Sequence, residues 1–150
     1  RTKLDAHCLL ADAGQWRADV AFRHILLDAP CSSTGTLRRR PDVARLKRPA
    51  DVTAMASMQQ DLLAHAAGLL APGGVLVYAV CTLEPEEGEH QIGRLLADQP
   101  DLQRLAVAES EITGLAQALT ANGDVRILPG YWEALGGVDG FYIARLIKRG

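Results

Sequence analysis

Two thiols stand at the ends of two apolar runs. The segment His24-Ile25-Leu26-Leu27-Asp28 leads into Ala29-Pro30-Cys31, and the small-residue turn Ser32-Ser33-Thr34-Gly35 follows. Further on, Val75-Leu76-Val77-Tyr78-Ala79-Val80 ends on Cys81-Thr82. A thiolate is a strong nucleophile, and forming a covalent intermediate divides one hard step into two easier ones. An ordinary thiol with a pKa near 8.5 is only about 3% ionised at pH 7, so a site that uses either thiol must lower its pKa. In an open α/β sheet, ligands bind beyond the carboxyl ends of the strands. Both cysteines are predicted there.

The elements that must position them follow from periodicity. Residues 7–10 read as a short strand. Residues 20–22 and 25–27 read as the next one, interrupted at Arg23-His24, with a continuous apolar character that predicts burial on both faces. Residues 35–50 are polar and basic, a loop with a short helix from Asp42 to Leu46. From Val52 to Leu70 apolar residues recur at three and four, which is one helical face. Asp51 is the expected N-cap and Pro72-Gly73-Gly74 the expected stop. After the strand over 75–80, Pro85 opens a second helix with Glu86, Glu87 and Glu89 where the helix dipole favours negative charge. That helix turns Ile92, Leu95 and Leu96 inward. Strands over 105–108, 125–128 and 141–147 and a helix over 110–120 complete the pattern. Alternating strands and helices predict a mostly parallel sheet covered on both faces.

The bulk numbers set limits. With 150 residues, 48% of them apolar and 23% charged, the chain suits one domain with a real core. A net charge of −2 means that affinity for a polyanion must come from a local patch. No apolar run approaches the roughly 20 residues of a membrane span, and the first residues carry no signal-peptide pattern. The three cysteines do not make a disulfide framework, which points to a reducing, cytoplasmic setting. Neither they nor the four histidines show metal-ligand spacing, so no metal is expected. No Gly-rich strand–turn–helix, the usual opening of a nucleotide site, occurs in the chain.

Asp28-Ala29-Pro30-Cys31-Ser32-Ser33-Thr34-Gly35 followed by Arg38-Arg39-Arg40-Pro41-Asp42 resembles the fourth motif of the Sun/Fmu family of RNA 5-methylcytosine methyltransferases. Pro72-Gly73-Gly74-Val75-Leu76-Val77-Tyr78 with Cys81-Thr82-Leu83-Glu84-Pro85-Glu86-Glu87 resembles its sixth. Asp139-Gly140-Phe141-Tyr142-Ile143-Ala144 with Lys148 is similar to its closing strand. The pattern is nearest to the bacterial 16S ribosomal RNA type. The resemblance implies an α/β, Rossmann-like class I S-adenosylmethionine-dependent methyltransferase fold with an antiparallel last strand. It implies that residues 1–150 are the C-terminal portion of a catalytic domain, whose first strands and Gly-rich cofactor loop lie upstream of Arg1. The chain alone is then expected to be inactive and, with an unpaired sheet edge, to self-associate.

The residues leave open which thiol attacks. DNA cytosine methyltransferases use the Pro-Cys thiol, which maps to Cys31. The RNA family uses the other, Cys81, with Cys31 assisting product release. The resemblance further implies that Asp28 faces the target base and the methionine end of the cofactor. Asp12, Asp28 and Pro30 are the expected cofactor residues, although an Asx turn explains Asp12 almost as well. Arg38, Arg39, Arg40, Arg45, Lys47 and Arg48 form a basic run. Directly after a catalytic loop, Arg38–Arg40 are expected to contact RNA phosphates, whereas Lys47 and Arg48 read as a solvated face and Cys8 as core. The alternative is a catalytically incomplete chain that only binds RNA or packs against other domains.

Overall fold

The computed structural model describes residues 4–150. Five strands form one sheet: β1 (Phe22–Asp28), β2 (Leu70–Val80), β3 (Leu102–Arg104), β4 (Val125–Ile127) and β5 (Phe141–Lys148). The order is β1-β2-β5-β3, and β4 also pairs with β5. β1 and β2 are parallel, and β5 is antiparallel to β2, β3 and β4. Four strands therefore run one way and the last opposes them, as expected.

Helix α1 (Val43–Leu46) is one turn, and the long helix α2 (Pro49–Gly68) links β1 to β2. Helix α3 (Glu89–Asp98) links β2 to β3. Both connections carry the chain the same way across the sheet. Right-handed crossovers in one direction place their helices on one face. There Leu63, Ala66 and Ala67 of α2 and Ile92 and Leu95 of α3 bury Leu76, Tyr78 and Val80 of β2 and Tyr142, Ala144 and Leu146 of β5. Among the described residues no helix covers the opposite face, so Val75, Val77 and Ala79 stay half-buried and the expected cover on both faces is not met. A smaller cluster of Leu115, Ala118 and Val125 packs under Ile143.

Several local expectations change. Residues 7–10 form no strand, because no strand of the described sheet lies beside them; Cys8, Leu9 and Leu10 are exposed, so Cys8 is not core. β1 is continuous through Arg23-His24 and starts at Phe22. It lies at the sheet edge, so Leu26 is 71% exposed instead of buried on both faces. Asp51 is not the N-cap but sits three residues inside α2, where its carboxylate accepts the Arg48 N–H at 2.8 Å. α2 stops at Gly68, and Pro72-Gly73-Gly74 lies inside β2. It forms a bulge there: the β1–β2 register jumps from Phe22↔Leu70 to His24↔Val75, with Gly73 at φ 72°. Residues 105–108 follow β3 without belonging to it, and two 3₁₀ turns, Glu109–Glu111 and Ala116–Ala118, replace the single helix over 110–120.

Candidate active site

Parallel pairing of β1 and β2 decides the geometry of the thiols. Asp28 lies opposite Ala79, and the Ala29 N–H continues the ladder to the Ala79 carbonyl at 3.0 Å. Both strands then leave the sheet at the same end. The Cys31 loop turns back through Ser33, a non-glycine residue at φ 63°, a conformation that costs about 1 kcal/mol. Gly35 donates its N–H to the Cys81 carbonyl at 3.1 Å and accepts from Gly140 N–H at 2.7 Å. The result is a pair of free thiols with Sγ–Sγ of 3.4 Å. The Ser33 hydroxyl lies 3.7 Å from Cys81 Sγ and 3.9 Å from Cys31 Sγ.

The two thiols titrate as a pair. The hydrogen bond between the two sulfurs, and after it that with Ser33, lowers the Cys81 thiol to about 6 against partial burial and the Asp28 charge. Cys31 is pushed up, first by its hydrogen bond with Cys81 and then by burial. Of the pair, Cys81 is the thiol favoured to ionise first. The sign follows: acidification below about pH 6 protonates Cys81 and silences it, and raising the pH through that point exposes the thiolate. Peptide-resolved alkylation with iodoacetamide should give a midpoint near 6 for Cys81; a midpoint of about 8.5, that of a free thiol, would contradict this.

Asp28 is exposed at the end of β1, and among the described residues its carboxylate makes no hydrogen bond or ion pair. Its charge is near enough to oppose the lowering of the Cys81 thiol. Pro30 is exposed as well, and its carbonyl accepts from Gln59 Nε2 at 2.8 Å. Asp12 lies elsewhere: its carboxylate accepts Gly14 N–H at 2.9 Å, and its carbonyl accepts Gln15 and Trp16 N–H. That is the turn geometry anticipated as its alternative. An apolar groove of about 400 Å³ opens beside it, lined by Trp16, Phe22, Leu26, Leu62 and Leu69 among others.

The basic run is less free than its sequence suggests. Arg39 pairs with Asp139 through Nε at 2.9 Å and through its terminal nitrogen, and Arg38 approaches the same carboxylate at 4.0 Å. The Arg39 guanidinium holds Asp139 below the ordinary carboxylate range. Arg40 pairs with Asp42 at 3.3 Å. Lys47 and Arg48, with Thr34, Glu84 and Glu86, line a second groove.

Sequence reasoning missed the support beneath the thiols. Glu87 is fully buried and bound by both cysteine loops. Nothing in the sequence separates it from its neighbour Glu86; only the 3₁₀ turn Pro85–Glu87 aims it inward. Asp139, Gln59 and the contact of Gly35 with Gly140 were equally invisible, since each depends on a distant partner.

A mostly parallel sheet with an opposed last strand, carrying its reactive groups at the strand ends, defines the Rossmann-like fold of S-adenosylmethionine-dependent methyltransferases. Solved structures agree. NSun6 from Pyrococcus horikoshii with SFG superposes with a TM-score of 0.73 at 26% identity, covering 95% of this chain and 34% of that one. A methyltransferase homologue from the same organism gives 0.67 at 30% identity, covering 87% and 40%.

The chain belongs to the 16S rRNA methyltransferase RsmB/F family, whose sequence model matches residues 2–147. It is 44% identical over 135 residues to ribosomal RNA small subunit methyltransferase B of Klebsiella pneumoniae, covering 90% of this chain and 28% of the relative. It is 40% identical over 128 residues to methyltransferase F of Serratia proteamaculans, covering 85% and 26%. The chain thus spans about a quarter to a third of the length of such relatives. The family uses S-adenosylmethionine. Among the described residues, no helix is long and apolar enough to cross a membrane, and no cluster of three or more His, Cys, Asp or Glu could hold a metal ion.

Proposed function

We propose that the chain is the C-terminal portion of a catalytic domain that methylates C5 of a cytosine in ribosomal RNA, in the cytoplasm, with Cys81 as nucleophile. The observation that carries this reading is the thiol pair, 3.4 Å apart at the ends of two parallel strands, with the lowered pKa on Cys81. The Cys81 thiolate adds to C6 of the ring and makes C5 electron-rich. S-adenosylmethionine, when bound, would supply the methyl group to C5 and leave as S-adenosylhomocysteine. A base then takes the C5 proton, the C6–S bond breaks, and the electron pair returns to Cys81 as thiolate. Cys31 donates its S–H to that departing sulfur. Asp28 stands where it can accept from the exocyclic amine of the base or steady the methionine end of the cofactor, beside Pro30. Asp12 fits the adenine end only if its carboxylate keeps a lone pair beyond the Gly14 bond. To reach C6 the target base must leave its stack.

The test is direct. Full-length protein with isotopically labelled S-adenosylmethionine and 16S rRNA should yield label in 5-methylcytidine on nucleoside mass spectrometry; label on another base or another cytosine atom rejects the reading. Arg38, Arg39 and Arg40 are proposed to contact phosphate, with Asp139 and Asp42 holding two of them in place beforehand. Replacing all three with alanine should weaken RNA binding across sequences and lower the slope of log K against log salt by about one for each phosphate no longer neutralised. An unchanged slope removes them from the interface.

One observation favours the second reading, a binding or packing module: among the described residues no Gly-rich turn joins a strand to a helix, so the cofactor cradle is not in this part of the chain. S-adenosylhomocysteine should not shift the melting temperature of residues 1–150 but should shift that of the full-length protein. We further infer that residues 1–150 alone self-associate through the β1 edge and the groove beside it, so light scattering should give more than a monomer mass.

A further inference from the structure

The two cysteine loops meet over a carboxylate to which the reaction chemistry gives no role. Glu87 is 0% exposed, and among the described residues no cation pairs with it. A buried carboxylate must have its charge met by hydrogen bonds. Four donors converge on it. Ser32 N–H at 2.8 Å and Gln59 Nε2 at 3.1 Å reach Oε1; the Ser32 and Thr82 hydroxyls reach Oε2, the latter at 2.7 Å. Ser32 directly follows Cys31, and Thr82 directly follows Cys81. Gln59 also binds the Pro30 carbonyl, on the other side of Cys31.

The hydroxyls form a connected network. Thr82 Oγ1 accepts Glu84 N–H at 3.1 Å and lies 3.1 Å from Thr34 Oγ1, which in turn accepts Leu83 N–H at 2.9 Å. Each hydroxyl has one proton. With the Glu87 carboxylate as acceptor, Thr82 and Ser32 both direct their hydroxyls at Oε2, and Thr34 is left to donate to Thr82; the Ser32 and Thr82 oxygens themselves lie 3.0 Å apart. A glutamine amide would remove the charge and, with its oxygen kept towards Ser32 N–H and Gln59 Nε2, would turn its NH₂ towards the Ser32 and Thr82 hydroxyls, which must then switch from donating to accepting.

We propose that Glu87 is the positioning residue of the thiol pair: it ties Ser32 to Thr82 and so holds Cys31 and Cys81 at the separation where one donates its S–H to the other. This rests on the reading of the two cysteines as the reactive pair of a methyltransferase. Glu87 hydrogen-bonds neither sulfur, so it acts only through the loops.

The test compares full-length wild type with Glu87→Gln and with Thr82→Val, which deletes a single hydroxyl. Peptide-resolved iodoacetamide alkylation is followed against pH, with melting curves to establish folding and RNA methylation as a separate measurement. Both variants should move the Cys81 midpoint from about 6 upwards, with alkylation at pH 7 falling on the order of tenfold as the thiol approaches its free value near 8.5. In methylation, kcat should fall while KM for RNA stays unchanged. A folded Glu87→Gln protein with an unshifted alkylation profile overturns the proposal. If that variant does not fold, an unshifted profile in Thr82→Val overturns it on the same terms. A shifted profile in a protein that methylates nothing retains the positioning role and discards the methyltransferase reading. Normal methylation in wild type with an unshifted variant profile does the reverse.

Discussion

Alanine at position 31 is expected to leave RNA covalently attached to the full-length protein, while alanine at position 81 leaves none. In the proposed chemistry the bond from Cys81 to C6 must break once C5 carries its methyl group and has lost its proton. The leaving sulfur is stabilised by the nearest donor, Cys31, at 3.4 Å. Without that donor the adduct should outlast denaturation and appear as a slow band on a denaturing gel. Cys31→Ala also removes the main influence lowering the Cys81 thiol, so the trap forms best at pH 8 or above. Cys81→Ala removes the nucleophile, and methyl transfer should fall by at least about 10⁴-fold, the scale seen when an enzyme loses its covalent catalyst. The reverse pattern, an adduct in Cys81→Ala and none in Cys31→Ala, would make Cys31 the nucleophile.

The second large effect is expected at Gly35. A Cβ there would collide with the Gly140 carbonyl oxygen and stand 2.7 Å from the Gly140 carbonyl carbon and 3.0 Å from that of Cys81. These are backbone atoms, which no side-chain rotation can clear. The same residue donates to Cys81 and accepts from Gly140, so three segments must part to admit one methyl group. Gly35→Ala should destabilise the protein by about 3 kcal/mol and separate the Cys31 loop from Cys81. The alkylation midpoint of Cys81 should then rise together with the loss of melting temperature. A variant that melts like wild type, with its alkylation profile intact, would show that the loops can separate at no cost.

The placement of the two thiols could be read in advance because each lies just beyond the end of a strand. The apolar runs before Cys31 and Cys81 are local signals, and parallel strands that end together bring their end residues together whatever the side chains. The same logic explains β5, whose alternating burial at Tyr142, Ala144 and Leu146 follows from its place in mid-sheet. The strand expected over 7–10 failed for the complementary reason. A strand is a pairing, and its apolar character cannot supply a neighbour. Cys8 was misplaced with it. Asp51 shows a finer limit: capping residues are recognisable by type, but their position within the first turn depends on where Pro49 lets the helix begin.

The charged residues divide in the same way. Arg39 looks like a free cation in the sequence because Asp139 is far along the chain; the fold brings them into contact and fixes the guanidinium. Glu87 looks like an exposed partner of a helix dipole and is instead a buried acceptor for four donors.

By themselves, the residues determined the fold class, the family, and the place of two cysteines beyond neighbouring strand ends, because strand pattern and motif spacing are properties of contiguous chain. Only the tertiary structure decided how close the two thiols come, which arginines are already paired, and what holds the loops in register. Those depend on distances of a few ångström between segments distant in sequence. Hydrogen-bond and charge energies change steeply over such distances, and local sequence does not encode them.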